Sequence, residues 1–159
     1  MFEAKRVLEF CTVVQTNVLS LYAFHLDTQN LPLITPPGTQ ATVVSIDLPL
    51  RRGSVIELDI KRLGFTTRWK MEVAALKAPS LLCDRALQSP FSHFVHEHRF
   101  SAVDEKSSLL CDRVEFSLPF YPLSLLLLPL LYRDMRRMFA YRHERTKFLL
   151  ETEQRSSHE

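Results

Sequence analysis

His96 and His98 are the side chains in this sequence best placed to do chemistry. They are alternate residues of a strand-like stretch, Phe91–Val103, so they share one face with Phe94 and Phe100, while His93, Glu97 and Arg99 take the other. In the next stretch, Ser108–Leu118, the apolar parity is Val114, Phe116 and Leu118, and Asp112 shares it. A short polar turn at 104–107 joins the two stretches, so they should pair as a hairpin and bring Asp112 level with His96 and His98. Asp84, on the preceding strand, can reach them from the other side. An imidazole beside a carboxylate is an acid or base near neutral pH, and the carboxylate fixes its tautomer and raises its pKa. A His-x-His pair is also a bidentate metal motif, but no thiol stands at a matching spacing, so no metal or other cofactor is expected. The plainest expectation is that these buried polar groups satisfy one another or anchor a ligand.

The elements that would position them follow from period. Residues 8–15 read as a first strand, and Thr16 or Asn17 caps a short helix over Val18–His25. Asp27 or Thr28 starts a second short turn that ends at Pro32 and Thr35-Pro36-Pro37-Gly38. Alternation then marks strands over 40–48, 55–62, 66–76, 81–88, 91–103 and 108–118. In the first of these, Thr42, Val44, Ile46 and Leu48 share a face. From Pro122 to about Glu153 the period changes. Leu128, Leu131, Tyr132, Met135, Phe139, Arg142, Thr146 and Leu149 draw one stripe down a long helix. The expectation is an α+β fold: a curved seven-stranded antiparallel sheet wrapped around a long C-terminal helix, with two short helices after strand 1. One domain over 1–153 and a polar tail over 154–159 complete it.

Composition narrows the function classes. A net charge of +2 over 159 residues gives no electrostatic case for nucleic acid. The basic stretch Arg133, Arg136, Arg137, Arg142, His143, Arg145 and Lys147 reads as a solvated helix face moderated by Asp134, Glu144 and Glu151. Transient contact with anionic lipid is its second reading, because a Leu-rich run lies beside the arginines. That run, Leu123–Leu131, is nine residues long and holds Pro129, far short of the roughly 20 that a span requires. The N-terminal MFEAKRVLEFCTVV lacks the apolar core of a signal peptide, so the expected compartment is cytoplasmic. Cys11, Cys83 and Cys111 are expected as buried, reduced thiols.

The order of elements, and several motifs within it, resemble a known superfamily. Ala23-Phe24-His25 with Asp27, Asn30-Leu31-Pro32 and Thr35-Pro36-Pro37 are similar to the opening of bacterial cyclase/dehydrase-like proteins of the START-like, or SRPBCC, superfamily. His96-Glu97-His98-Arg99-Phe100, Asp112-Arg113-Val114-Glu115, Leu118-Pro119-Phe120 and Arg137-Met138-Phe139-Ala140-Tyr141-Arg142-His143 resemble that group too. The resemblance implies the helix-grip fold and a cavity between sheet and last helix for a hydrophobic small molecule, lipid-like or polycyclic. Trp69, Phe94, Phe100, Phe116 and Met135 would supply its wall, and His96, His98 and Asp112 its orienting polar contacts. No residue is assigned a catalytic role at this level. The enzyme alternative is a cyclase or dehydratase acting on a ketone-bearing, polyketide-like substrate, with His96 or His98 as base and Arg142 steadying an enolate. The third alternative is a lipid or quinone carrier that docks on membranes or on a partner enzyme.

Overall fold

The computed structural model describes residues 4–156. Strand β1 (Arg6–Val14) leads into helix α1 (Val18–Leu26), then into short 3-10 turns at Thr28–Asn30 and Pro32–Ile34. Asn17 caps α1 by accepting from Ser20 N at 2.9 Å, and Asp27 caps the following turn by accepting from Gln29 N at 3.0 Å. Six strands follow as a meander: β2 (Thr39–Ile46), β3 (Val55–Arg62), β4 (Phe65–Lys77), β5 (Leu81–Gln88), β6 (His93–Ala102) and β7 (Ser108–Ser117). A 3-10 turn at Leu123–Leu127 opens helix α2 (Leu128–Ser156), and Pro129 sits in its first turn, where its missing N–H costs nothing. The helix therefore runs three residues past 153.

All seven strands form one antiparallel sheet in the order β1-β7-β6-β5-β4-β3-β2. The first strand joins beside the last, so β1 and β2 form the two edges. With α2 lying across the sheet this is an α+β helix-grip architecture. Three register shifts adjust the pleat. The one between Val43 and Ser45 breaks the alternation expected for β2, so the inward residues are Ala41, Val43 and Ile46, and Val44 is turned out. The other two, at Lys70/Met71 and Val73/Ala75, fall on β4 to either side of the buried Met71 and Val73. Gly53, at a φ of +90°, makes the β2–β3 turn that a side chain would resist.

Cys11 and Cys111 correct the thiol expectation. They lie directly opposite one another on β1 and β7 and form a disulfide across a sequence separation of 100. No local spacing signals that pairing, because β1 reaches β7 only through closure of the whole sheet. Cys83 is the free cysteine, buried, with burial pushing its thiol up to about 11.

The core is divided. One apolar cluster gathers Val14, Leu21, Tyr22, Val73, Leu82, Phe100, Leu110 and Leu150. The other gathers Val114, Phe116, Met135 and Phe139, with Phe10, Phe91 and Phe94 packed against it. Along β6, β7 and α2 alike, the residues between the two clusters are polar.

Candidate functional site

That polar rung is built from every element that crosses it. On β6, Phe94 and Phe100 belong to opposite clusters, and His96 and His98 fall between them. On β7 the same interval, between Leu110 and Val114, is Asp112. The hairpin register sets His98 directly opposite Asp112 and His96 opposite Val114. On α2 the buried positions run Met135, Phe139, His143, Thr146, Leu150, so His143 is the helix's contribution to the rung.

Asp112, 3% exposed, is the hub. His96 Nε2 lies 2.8 Å from its Oδ1, and His143 Nε2 lies 2.6 Å from its Oδ2. His98 Nδ1 is 2.7 Å from the same Oδ1 as His96, yet off the line a hydrogen bond needs, so it has no hydrogen-bond partner among the described residues. The other nitrogen of that ring, Nε2, is 3.7 Å from Asp84 Oδ2. The rings of His96 and His98 are 3.9 Å apart, and His25, from the last turn of α1, is 5.4 Å from His98. His25 Nδ1 bonds the Leu21 carbonyl at 2.9 Å. The Arg142 guanidinium lies beside this group, 5.8 Å from the Phe139 ring, and its enclosed Nε has no hydrogen-bond partner among the described residues.

Sequestration and charge push the titrating groups apart. Burial alone would lower His98, but the Asp112 and Asp84 carboxylates overcome it and raise the ring to about 9. Burial and the charge on His98 together lower His96 to about 4. His25 is lowered to about 4 for the same two reasons. Burial works to raise the Asp112 carboxyl, yet the His98 charge and the hydrogen bonds from His143 and His96 hold it well below its usual range. For Arg142, burial lowers the guanidinium and Asp112 opposes the shift.

The side chains expected to wall a ligand space occupy two places. Phe94, Phe116 and Met135 join one cluster, and Trp69 meets it through Phe94 and Phe91, with ring centroids 5.1 and 5.7 Å away. Phe100 belongs to the other cluster and packs edge-on against Tyr22 at 5.6 Å. The rings fill much of the space under α2: Phe116 and Phe139 are fully buried, and Phe10 stacks on Phe139 at 4.8 Å. Trp69, Phe91 and Phe94 remain half-buried, a rim of three rings. A separate groove of about 730 Å³ runs along β2 and the 3-10 turns, lined by Leu26, Asp27, Pro32, Thr35, Ala41 and Val43 among others.

Sequence reasoning missed two histidines. His143 read as part of a solvated basic face, but it is 6% exposed and bonded to Asp112. Its signal was present: it stands four residues after Phe139 and three before Thr146, on the stripe itself. His25 stands four after Leu21 on α1, the same kind of signal on a helix too short to show a clear period. Arg142, placed on the stripe, does turn inward. The early part of the apolar run does not. Phe120, Leu123, Leu126, Leu127 and Leu130 are exposed, next to exposed Arg133, Arg136 and Arg137.

The fold has many counterparts among solved structures. A norcoclaurine synthase point mutant of Thalictrum flavum superposes with a TM-score of 0.71 at 10% identity, covering 97% of this chain and 99% of that one. The fold is START-like. An aromatase/cyclase from a Streptomyces species gives a TM-score of 0.75 at 15% identity, over 93% of this chain and 94% of that one. A START superfamily protein from Mycobacterium smegmatis gives 0.70 at 12% identity, over 92% and 97%. No protein-family model and no curated protein matches the sequence. At these identities the likeness is one of START-like, helix-grip architecture.

Proposed function

We propose that this START-like chain binds a hydrophobic small molecule, lipid-like or polycyclic, between the sheet and α2. The observation that carries the reading is the composition of that inner face: an aromatic wall interrupted by one compact set of convergent polar groups. Trp69, Phe91 and Phe94, the half-buried rings, are the ones a ligand displaces on entering, while Asp112 with His96 and His98 orients its polar end. A mass spectrum of small molecules extracted from natively purified protein identifies the class. An apolar dye should bind and be displaced by that class, and Trp69→Ala and Phe94→Ala should each weaken the dye roughly tenfold, on the order of one aromatic contact. Dye affinity unchanged in both variants overturns the reading.

One observation favours a catalytic reading as well. Arg142 is a half-buried cation whose enclosed Nε has no hydrogen-bond partner among the described residues, beside a His–Asp pair. With a ketone-bearing substrate, the neutral ring of His96, rather than that of His98, takes a proton from carbon and Arg142 steadies the enolate oxygen. The structural likeness to an aromatase/cyclase makes polyketide-like ketones the substrates to try first. Arg142→Gln should then abolish turnover and leave dye binding within a few-fold.

The exposed leucines at the start of α2, set beside three exposed arginines, support transient docking on anionic membrane by a carrier. Leu126→Asp should reduce co-sedimentation with phosphatidylserine vesicles, and added salt should reduce it further. No described helix is long and apolar enough to cross a membrane. A cytoplasmic location rests on the sequence expectation, and the Cys11–Cys111 bridge argues against it, since such bonds persist in oxidising surroundings. Alkylation in intact cells distinguishes the two: three reactive thiols after denaturation for a reducing compartment, one for an oxidising one.

A further inference from the structure

We propose that His96 Nε2, His98 Nδ1 and Asp112 Oδ1 form a binding site for one divalent transition-metal ion, held between the two halves of the core. From the sequence alone the His-x-His pair reads as a bidentate motif, and a metal is set aside because no thiol stands at a matching spacing. The three donor atoms lie within 4.8 Å of one another. Each nitrogen approaches the shared oxygen to 2.7 or 2.8 Å. Adjacent ligands of an octahedral ion, with bonds of about 2.1 Å, stand roughly 3 Å apart, so small movements of the rings admit a cation. Two imidazoles and one carboxylate on a single side of the ion is a donor set suited to iron(II), manganese, cobalt or zinc.

His98 Nδ1 supplies an independent sign. It is buried, it stands 2.7 Å from Asp112 Oδ1 but off-axis, and it has no hydrogen bond among the described residues. An ion seated between His96 and Asp112 would take the place of the proton that this nitrogen carries beside the carboxylate in the metal-free chain. The surroundings are those of a metal's outer shell. Asp84 Oδ2 faces His98 Nε2 at 3.7 Å, a carboxylate beside the ring nitrogen that does not ligate. His143 Nε2 holds the other oxygen of Asp112 at 2.6 Å, so Asp112 presents one oxygen inward. Other groups facing the rung are His25 from α1 and the Arg142 guanidinium from α2. Counting Asp84 and Asp112 against Arg142, the rung carries one excess negative charge when its rings are neutral.

The site does not depend on the apolar-ligand reading, and it competes with acid–base use of His96 and His98. The test uses the full chain without an affinity tag, stripped with chelator and dialysed against Zn²⁺, Co²⁺ or Mn²⁺. One equivalent of at least one ion should remain bound, raise the thermal midpoint, and shift the ring signals of His96 and His98 before that of His93. Asp84→Asn should weaken binding about 10- to 100-fold, as loss of a ligand's carboxylate partner does. His98→Ala should remove it. Where His98→Ala fails to fold, the ring signals of the unaltered protein decide. Less than about a tenth of an equivalent of every ion overturns the proposal. So does binding that survives in both variants, or that perturbs His93 first, since the ion would then be on the surface.

Discussion

The β6–β7 ribbon carries nearly the same chemistry on its two faces, and the faces behave differently. Outside, His93 Nε2 meets Glu115 at 2.9 Å, Lys5 meets the same carboxylate at 3.0 Å, and Arg99 and Arg113 flank Glu97. Inside, a step of one residue away, His96, His98 and His143 surround Asp112. The outer carboxylate is lowered by hydrogen bonds from Lys5 and His93, with solvent moderating everything. The inner one is held down against its own burial, and the rings around it are driven in opposite directions. Residue type does not decide what a histidine–carboxylate pair does; the supply of water does.

The largest expected effect separates the two carboxylates. Asp112→Ala leaves buried rings and Arg142 without their counter-ion, and breaking a buried ion cluster costs about 3–5 kcal/mol. Glu115→Ala should cost under about 1 kcal/mol, as exposed pairs do. Urea unfolding of both variants measures this, and equal losses would erase the contrast between the faces.

The inner rings also give the metal-free chain a pH signature. His98, raised, contributes stability that is fully present below 6.5 and lost as pH climbs through about 9. His96 and His25, lowered, contribute stability present above 6.5 and lost as pH falls towards about 4. Their combined contribution therefore peaks near 6.5. Two rings act on the acid side against one on the alkaline side, so the acid limb is the steeper. Chemical unfolding at stepped pH should show that asymmetry, and His25→Gln should remove roughly half of the acid slope. A symmetric curve unaffected by the variant would mean that these rings do not titrate as their surroundings dictate. The smallest effect is the control. His93→Gln should shift stability within about 0.5 kcal/mol and leave the curve unchanged.

This contrast was half legible in the sequence. Parity along two strands joined by a four-residue turn placed His96, His98 and Asp112 on one face, because a hairpin's register is local and a pleat has a strict period of two. The long helix and the six-strand meander were legible for the same reason of period, but the place of β1 beside β7 was not. Contacts closed by the sheet as a whole were not. Asp112 meets His143 across 31 residues and Cys11 meets Cys111 across 100, and no spacing rule spans such intervals. The bulge at Val43–Ser45 was hidden as well, since residues of either parity there are small or β-branched. Arginines around His143 disguised it: a basic composition suggested water, and only the stripe's arithmetic pointed inward.

The disulfide has a mechanical consequence. Cys11 sits on an edge strand, which in an open chain would be the first to peel away when pulled. Joined to Cys111, it closes a loop of 100 residues that contains α1 and strands β2 to β6. Tension applied at the two ends passes through the bridge and bypasses that loop, hiding about 330 Å of extensible chain. The histidines of α1 and β6 thus lie inside a segment that stretching cannot load, while Asp112, one residue beyond the bridge, and His143 lie on the part that it can.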